Sequence, residues 1–75
     1  MANTTGWAVI EVQTDFDGTV SALHYTYAEK DEAENKYHSV LAYAALNTSK
    51  RYHSATLLTN LGEYIESKCF EHDQQ

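Results

Sequence analysis

Residues 31–47 read DEAENKYHSVLAYAALN, and apolar side chains recur in this stretch at the spacing of one helix face. The apolar positions are Ala33, Tyr37, Val40, Leu41 and Ala44. Intervals of three and four residues return to the same side of an α-helix, so the pattern predicts one amphipathic helix over 31–47. Asp31 is suited to cap the first turn, and Glu34 three residues later resembles the second half of a capping box. Asn47 and the polar residues after it predict the end of the helix.

Residues 7–28 precede the helix and predict a β-hairpin that turns at Asp17-Gly18. An Asp-Gly pair between alternating apolar residues is a strong hairpin signal. A two-residue turn places Phe16 opposite Thr19. The apolar residues that this register puts on one face are Ala8, Ile10, Val12, Leu23, Tyr25 and Tyr27. We expect that face to meet the helix.

Residues 51–71 follow the helix and predict a second hairpin. A two-residue loop at Leu61-Gly62 would mix apolar and acidic residues on one face. A three-residue loop with Gly62 in the left-handed conformation pairs Thr59 with Glu63, and we prefer it. The other pairs on this register are Leu58 with Tyr64, Leu57 with Ile65, Ala55 with Ser67, and His53 with Cys69.

The element order is therefore ββαββ, within a single domain that spans 1–75. It predicts an α+β fold, a four-stranded antiparallel sheet with one helix packed on one face. Residues 72–75 are expected to form a flexible tail.

The composition limits the functions open to so small a domain. A chain of 75 residues has a narrow stability margin, and one cysteine excludes an internal disulfide framework and favours a reducing, cytoplasmic setting. The net charge of −6 argues against general binding to nucleic acid or to an anionic membrane. No apolar run approaches the length of a membrane span, and the sequence MANTTGW lacks the features of a signal peptide.

The second face of the predicted sheet is left without a helix and carries several large apolar side chains. The residues expected to form an oligomer interface there are Trp7, Val9, Leu58, Tyr64 and Phe70. Such density on an uncovered face usually marks an association surface, which predicts a homo-oligomer, a dimer or larger. The alternative is that some lie at strand ends, where single exposed apolar residues are normal.

Histidine and cysteine offer little sign of catalysis or of a metal site. The four histidines and Cys69 match no zinc-binding spacing. His53 and Cys69 face each other on the preferred register, and could be read as two metal ligands or as a base and a nucleophile, but neither set is complete. We therefore predict no catalytic residue, no metal and no cofactor, and a protein that is not an enzyme.

The segment between helix and third strand is the most ligand-like part of the chain. The candidate ligand-binding residues are Thr48, Ser49, Lys50, Arg51 and Tyr52. Hydroxyls, a guanidinium group and an aromatic ring together could bind a small anion or nucleotide. Basic residues at a helix C-terminus also offset its negative dipole end, so a capping role is the alternative.

Four segments of the chain resemble a family of short proteins encoded by phages and prophages of Firmicutes. They are VIEVQ at 9–13, Asp17-Gly18, EAENKYHSVLAYAA at 32–45 and HSATLLTNLG at 53–62. The resemblance covers nearly the whole chain, and its helical part is the most specific. It implies a phage origin and action in the cytoplasm of an infected bacterium, and it implies no catalytic residue.

These observations predict a non-enzymatic phage accessory protein that self-associates. It would bind a host protein or sequester a small anionic or nucleotide ligand, with evasion of host defence as one use. The alternative function is that of a minor structural or assembly protein of the virion. A small enzyme using Cys69 and His53 ranks last.

Overall fold

The computed structural model describes residues 5–73, and it has four strands and one helix in the order ββαββ. The elements are β1 (Trp7–Thr14), β2 (Val20–Tyr27), α1 (Lys30–Leu46), β3 (Tyr52–Thr59) and β4 (Tyr64–Glu71). The strands form one antiparallel sheet in the order β2-β1-β3-β4, with α1 packed on it. The predicted α+β fold is therefore confirmed. Residues 1–4 and 74–75, which include the start of MANTTGW and the end of the predicted tail, lie outside the described residues.

The helix α1 presents the predicted apolar stripe to the sheet. Ala33, Tyr37, Val40 and Ala44 are buried, as the spacing predicts. The predicted cap at Asp31 is wrong: Glu29 is the N-cap residue, in an extended conformation and without a side-chain capping bond. Asp31 lies in the first turn, where its negative charge still suits the positive end of the helix dipole. The helix α1 is not long and apolar enough to cross a membrane.

The turn between β1 and β2 is a three-residue loop. The Asp15 N–H donates to the Thr19 carbonyl (2.8 Å), and the Gly18 N–H donates back to the Asp15 carbonyl (3.0 Å). Gly18 has φ +93°, a left-handed conformation that glycine adopts without steric cost. The Asp17 carboxylate accepts a bond from the Thr19 N–H (2.9 Å), as short polar turn residues often do. The predicted two-residue turn is therefore wrong by one residue.

This one-residue difference turns β1 over, because successive side chains of a strand point to opposite faces. Val9 pairs with Tyr25 and is fully buried in the core that α1 covers. Ala8, Ile10 and Val12, which we expected to meet the helix, lie on the other face. The prediction that Val9 lies on the uncovered face is wrong for the same reason.

The turn between β3 and β4 has the predicted three-residue loop. The Thr59 N–H donates to the Glu63 carbonyl (2.9 Å), and Gly62 has φ +80°. Leu58 pairs with Tyr64, as predicted, but the register then shifts at a bulge. The shift places Ser54 opposite Cys69, and the predicted pairs beyond Leu58 are wrong. The corrected pairs are Leu57 with Glu66, Ala55 with Lys68, and His53 with Phe70.

The core lies between α1 and the two central strands, β1 and β3. Its buried cluster consists of Val9, Ala33, Tyr37, Val40, Ala55 and Leu57. Trp7, Tyr25, Tyr27 and Leu41 pack against its margin. We call the opposite side of the sheet the open face, because α1 is the one helix in residues 5–73 and lies on the other side. By strand alternation the open face consists of Ala8, Ile10, Val12, Thr14, Val20, Ala22, His24, Thr26, Tyr52, Ser54, Thr56, Leu58, Ser67, Cys69 and Glu71.

Two valine substitutions test which face of β1 forms the core. Val9→Ala should lower the free energy of unfolding by about 2 kcal/mol, because it deletes fully buried methyl groups and leaves a cavity. Val12→Ala, the matched control on the open face, should cost less than about 1 kcal/mol. Urea denaturation followed by circular dichroism measures both. A larger loss for Val12→Ala than for Val9→Ala would contradict the register.

Candidate functional site

A cluster of polar side chains lies beneath α1, centred on Glu11 of β1 and His53 of β3. The His53 Nε2 and Glu11 Oε2 atoms are 2.6 Å apart; His53 is fully buried and Glu11 is 5% exposed. Gln13 Nε2 donates to the same carboxylate oxygen (2.9 Å). The Tyr25 hydroxyl donates to Glu11 Oε1 (3.1 Å). We call these four residues the Glu11 network.

The hydrogen bonds of the network set the protonation state of Glu11. Burial by itself would raise the pKa of Glu11, but the bonds from His53, Gln13 and Tyr25 outweigh it, so the pKa lies below its usual value. Burial, followed by the bond to Glu11, raises the pKa of Tyr25. The network therefore holds a carboxylate.

The neighbour on the other side of the imidazole indicates which ring nitrogen of His53 carries the proton. Asn47 Nδ2 lies 3.4 Å from His53 Nδ1, and an amide nitrogen can only donate. With the Asn47 amide in this orientation, Nδ1 accepts and Nε2 donates to Glu11. The ring of Tyr43 meets the imidazole edge-on, with 5.4 Å between the ring centroids. Each polar position of His53 thus has a partner from the protein.

The network forms one wall of an open pocket of about 360 Å³ between α1 and the β1–β2 hairpin. The pocket is lined by Glu11, Gln13, Leu23, Tyr25, Lys36, Ser39, Val40 and Tyr43. The Lys36 ammonium lies 4.0 Å from the centre of the Tyr25 ring, a cation–π contact. The pocket offers a carboxylate, an ammonium group and two aromatic rings. His53, which has no exposed surface, cannot touch a molecule bound there.

The two basic residues of the predicted ligand segment pair with carboxylates of the chain itself. Lys50 Nζ lies 2.5 Å from Asp15 Oδ1, at the turn between β1 and β2. Arg51 binds Glu71 (2.7 Å) and Asp73 (3.2 Å), and also donates to the His72 carbonyl (2.9 Å). These ion pairs compete with any bound anion.

The other residues of that segment make local contacts. The Arg51 guanidinium lies 5.1 Å from the centre of the Tyr52 ring, so the predicted cation and ring are adjacent. Ser49 Oγ donates to Asn47 Oδ1 (2.6 Å), and the Thr48 N–H donates to the Leu46 carbonyl (3.0 Å). The side chains of residues 48–52 therefore lie close together, but their contacts join α1 to β3.

The predicted tail begins with two residues that make contacts in the structure. The His72 N–H donates to the Arg51 carbonyl (2.8 Å), and His72 Nε2 lies 2.8 Å from the Ala44 carbonyl. Asp73 binds the Arg51 guanidinium. The chain is thus held to the end of α1 and to the start of β3 at least as far as Asp73.

The predicted interface residues divide between the two sides of the sheet. Leu58 lies on the open face, as expected, and Tyr64 opposite it is 65% exposed. Trp7 packs against the buried cluster, and Phe70 pairs with the buried His53, so both lie on the side of α1. The interpretation of Trp7, Val9 and Phe70 as residues of the uncovered face is therefore wrong.

The predicted His53–Cys69 pair does not form. Cys69 lies opposite Ser54 and is exposed, while His53 is bound to Glu11 on the other side of the sheet. The bulge at the start of β4 separates them. A base and nucleophile formed from these two residues is excluded by this geometry.

Sequence reasoning missed the Glu11 network because it placed Glu11 on the uncovered face. The signal that could have found it lies in Asp15-Phe16-Asp17-Gly18. A three-residue loop with a left-handed glycine, the type chosen for the second hairpin, would have brought Glu11 to the side of His53.

Comparison with family models, with curated proteins and with solved structures finds no match to this chain.

A glutamine substitution tests whether the Glu11 carboxylate stabilises the fold. Glu11→Gln should lower the free energy of unfolding at pH 7 by about 1–3 kcal/mol, because it removes the charge and replaces one of the two acceptor oxygens by an NH2 group that faces buried donors. Chemical denaturation measures this loss, with Glu63→Gln in the exposed turn as the matched control. The control should stay within about 0.5 kcal/mol of the wild type.

Comparison of the wild type with Glu11→Gln also tests how the stability depends on pH. The folded-state pKa of Glu11 is lowered from 4.5, so its stabilisation is present above that value and is lost as the pH falls through the folded pKa. The difference between wild type and Glu11→Gln should therefore be largest above about pH 5 and narrow on acidification. A difference that stays constant from pH 7 to pH 3 would contradict a carboxylate at this position.

Proposed function

We propose that this chain is a non-enzymatic binding protein that associates with itself, and that the open face is its contact surface. The observation that carries the proposal is the distribution of charge. The chain has eleven acidic and five basic residues, yet Glu71 is the one Asp, Glu, Lys or Arg among the residues of the open face. Depletion of charge is the compositional signal of the centre of an interface.

The side chains in the middle of the open face form an even surface against which a second sheet can pack. Ile10 and Val12 of β1 lie beside Thr56 and Ser54 of β3, and Leu58 lies beside Ala8. Small and β-branched residues leave an even surface on which a second sheet can pack at about 10 Å. The face therefore combines apolar groups with a shape that a sheet can cover.

The size of the open face is of the order that a stable contact needs. Four strands about 4.8 Å apart and eight residues long at about 3.3 Å per residue cover roughly 500 Å² in projection. The accessible surface of a pleated face is larger than its projection. Standard interfaces bury about 800 Å² on each partner, so a stable contact requires that the whole of this face is covered.

The net charge of −6 does not prevent two copies from meeting at this face. The acidic residues of α1 lie across the thickness of the sheet from it. Charges farther apart than about 8–10 Å are largely screened at physiological ionic strength. The repulsion between two acidic copies is therefore weak at this contact.

The biological setting is a further part of the proposal. The resemblance of four segments to phage and prophage proteins supports action in the cytoplasm of an infected bacterium, with a host protein as the partner. Sequestration of a small anionic or nucleotide ligand has less support at Lys50 and Arg51, which are held by carboxylates. Lys36 in the pocket, over the Tyr25 ring, is the better-placed cation for that form of the proposal.

An acidic substitution on the open face tests the proposed contact. The wild-type protein at micromolar concentration should have a mass of at least twice the 8.5 kDa of one chain. Leu58→Glu should reduce that mass to half or less, because it buries an unpaired carboxylate in the contact. Light scattering coupled to size-exclusion chromatography measures the mass, and circular dichroism checks that the fold is retained.

Leu46→Glu is the matched control for this substitution. Leu46 is 83% exposed at the end of α1, away from the open face, so its replacement should leave the mass unchanged. A monomeric wild type would overturn the proposal, and so would a folded Leu58→Glu variant that keeps the wild-type mass.

A further inference from the structure

The strand β2 forms one edge of the sheet and carries none of the usual protection against pairing. It reads VSALHYTY, without Asp, Glu, Lys, Arg or Pro. Its register with β1 is unbroken over all eight residues. Exposed edges normally carry charges, prolines or bulges, because their free backbone groups are a template for another strand. This edge is regular, uncharged and rich in residues that favour strands.

The opposite edge of the sheet, β4, shows the contrast within the same molecule. It carries Glu66, Lys68 and Glu71, and the register of its pairing with β3 shifts beside Leu57. Charge and a bulge are two of the devices that block edge pairing. Within residues 5–73, the β4 edge is therefore protected and the β2 edge is left open.

The turn hydrogen bonds show which backbone groups of β2 are free. The Asp15 N–H bonds the Thr19 carbonyl, and hydrogen-bonded pairs alternate along an antiparallel ladder. On the other side of β1, the Arg51 N–H bonds the Thr14 carbonyl, in agreement with this alternation. The residues of β2 that bond β1 are therefore Ser21, Leu23, Tyr25 and Tyr27. The residues whose N–H and C=O groups point to the outer edge are Val20, Ala22, His24 and Thr26.

We propose that β2 pairs antiparallel with β2 of a second copy, about a two-fold axis that passes Leu23. The pairing joins two four-stranded sheets into one sheet of eight strands, in which the helices of both copies lie on one side. It is separate from the open-face contact proposed above and stands without it.

The register follows from the free backbone groups. An axis at Leu23 pairs Ala22 with His24 of the second copy and Val20 with Thr26 of the second copy. All four outward residues then take part, with two hydrogen bonds in each hydrogen-bonded pair. An axis at Ala22 or His24 leaves some of them unpaired. The central position therefore gives the longest ladder.

The side chains at this axis favour a second copy as the partner. Leu23 is 48% exposed on the side of α1, and there it meets Leu23 of the second copy. The helix lies mainly over β3 and β1, which leaves space above β2. No carboxylate or ammonium group of one β2 faces another, so two copies with a charge of −6 each meet along a neutral seam. Cross-strand leucine contact adds to the ladder.

Disulfide trapping tests this register. At the axis the two Leu23 residues form a non-hydrogen-bonded pair, with Cα atoms about 4.5 Å apart, within the range a disulfide spans. Leu23→Cys in a Cys69→Ser background should form a covalent dimer under mild oxidation, seen by non-reducing electrophoresis. Ser21→Cys in the same background is the matched control, since its two copies lie about 13 Å apart. We expect cross-linking at least tenfold faster at position 23 than at position 21.

A proline variant tests whether the backbone ladder holds the contact. His24→Pro removes an outward N–H and leaves the bonds from β2 to β1 in place, which is where edge strands tolerate proline. In the Leu23→Cys, Cys69→Ser background it should reduce cross-linking at least tenfold while circular dichroism stays unchanged. Equal cross-linking at positions 21 and 23, no cross-linking at 23, or cross-linking unaffected by His24→Pro in a folded protein would each overturn the proposal.

The edge contact and the open-face contact can fail separately. Leu58→Glu, which tests the open face, should leave the Leu23→Cys cross-link intact. If Leu58→Glu leaves the mass unchanged while the cross-link forms, the open-face proposal fails and the edge pairing holds. If Leu58→Glu also removes the cross-link, the edge pairing is not a separate contact and this inference fails.

Discussion

The hydrogen bond from the Asp15 N–H to the Thr19 carbonyl closes the loop that determines which face of β1 meets the helix. Because side chains alternate along a strand, the length of this loop decides whether Val9 and Glu11 or Ile10 and Val12 lie under α1. Gly18 makes the three-residue loop accessible, since its backbone lies in the left-handed region. The core, the buried polar network and the composition of the open face all depend on this one register.

The Glu11 network makes that register costly to change. His53 is fully buried from β3, and its Nε2 proton has Glu11 as its acceptor. A slip of β1 by one residue would replace Glu11 with a neighbouring aliphatic side chain and leave the imidazole without a partner, at about 1–3 kcal/mol for an unsatisfied buried donor. An all-apolar core of the same volume would tolerate the slip better. The Glu11–His53 pair therefore favours a single register of β1. Because the pair is buried beneath α1, its hydrogen-bonding positions are filled by other groups of the protein.

The element order could be predicted from the sequence, because the change from a period of two to a period of 3.6 is local. The helix stripe was predicted correctly even though α1 begins one residue early, since a helix face tolerates a shift of its boundary. The face of β1 that meets the helix was predicted wrongly. Asp17-Gly18 indicates where the chain turns, but it does not determine how many residues the loop contains. Likewise, the bulge that separates His53 from Cys69 arises from the pairing of β4 with β3, and no local sequence pattern predicts it. The partners of Lys50 and Arg51 are distant in sequence, so the segment 48–52 by itself could not show that its cations are neutralised.

The distribution of charge connects the junction, the open face and the β2 edge. Asp15 is paired with Lys50, and Glu71 and Asp73 share Arg51, so two of the five basic residues are used where loops and strand ends meet. The β4 edge carries two further charged groups, Glu66 and Lys68, which oppose pairing there. The open face and β2 carry almost none, although the chain as a whole is strongly acidic. A soluble monomer has no need for this separation, since charge spread over every exposed strand would protect it better against association. Segregation of charge away from one face and one edge is what the two contacts that we propose with another sheet require.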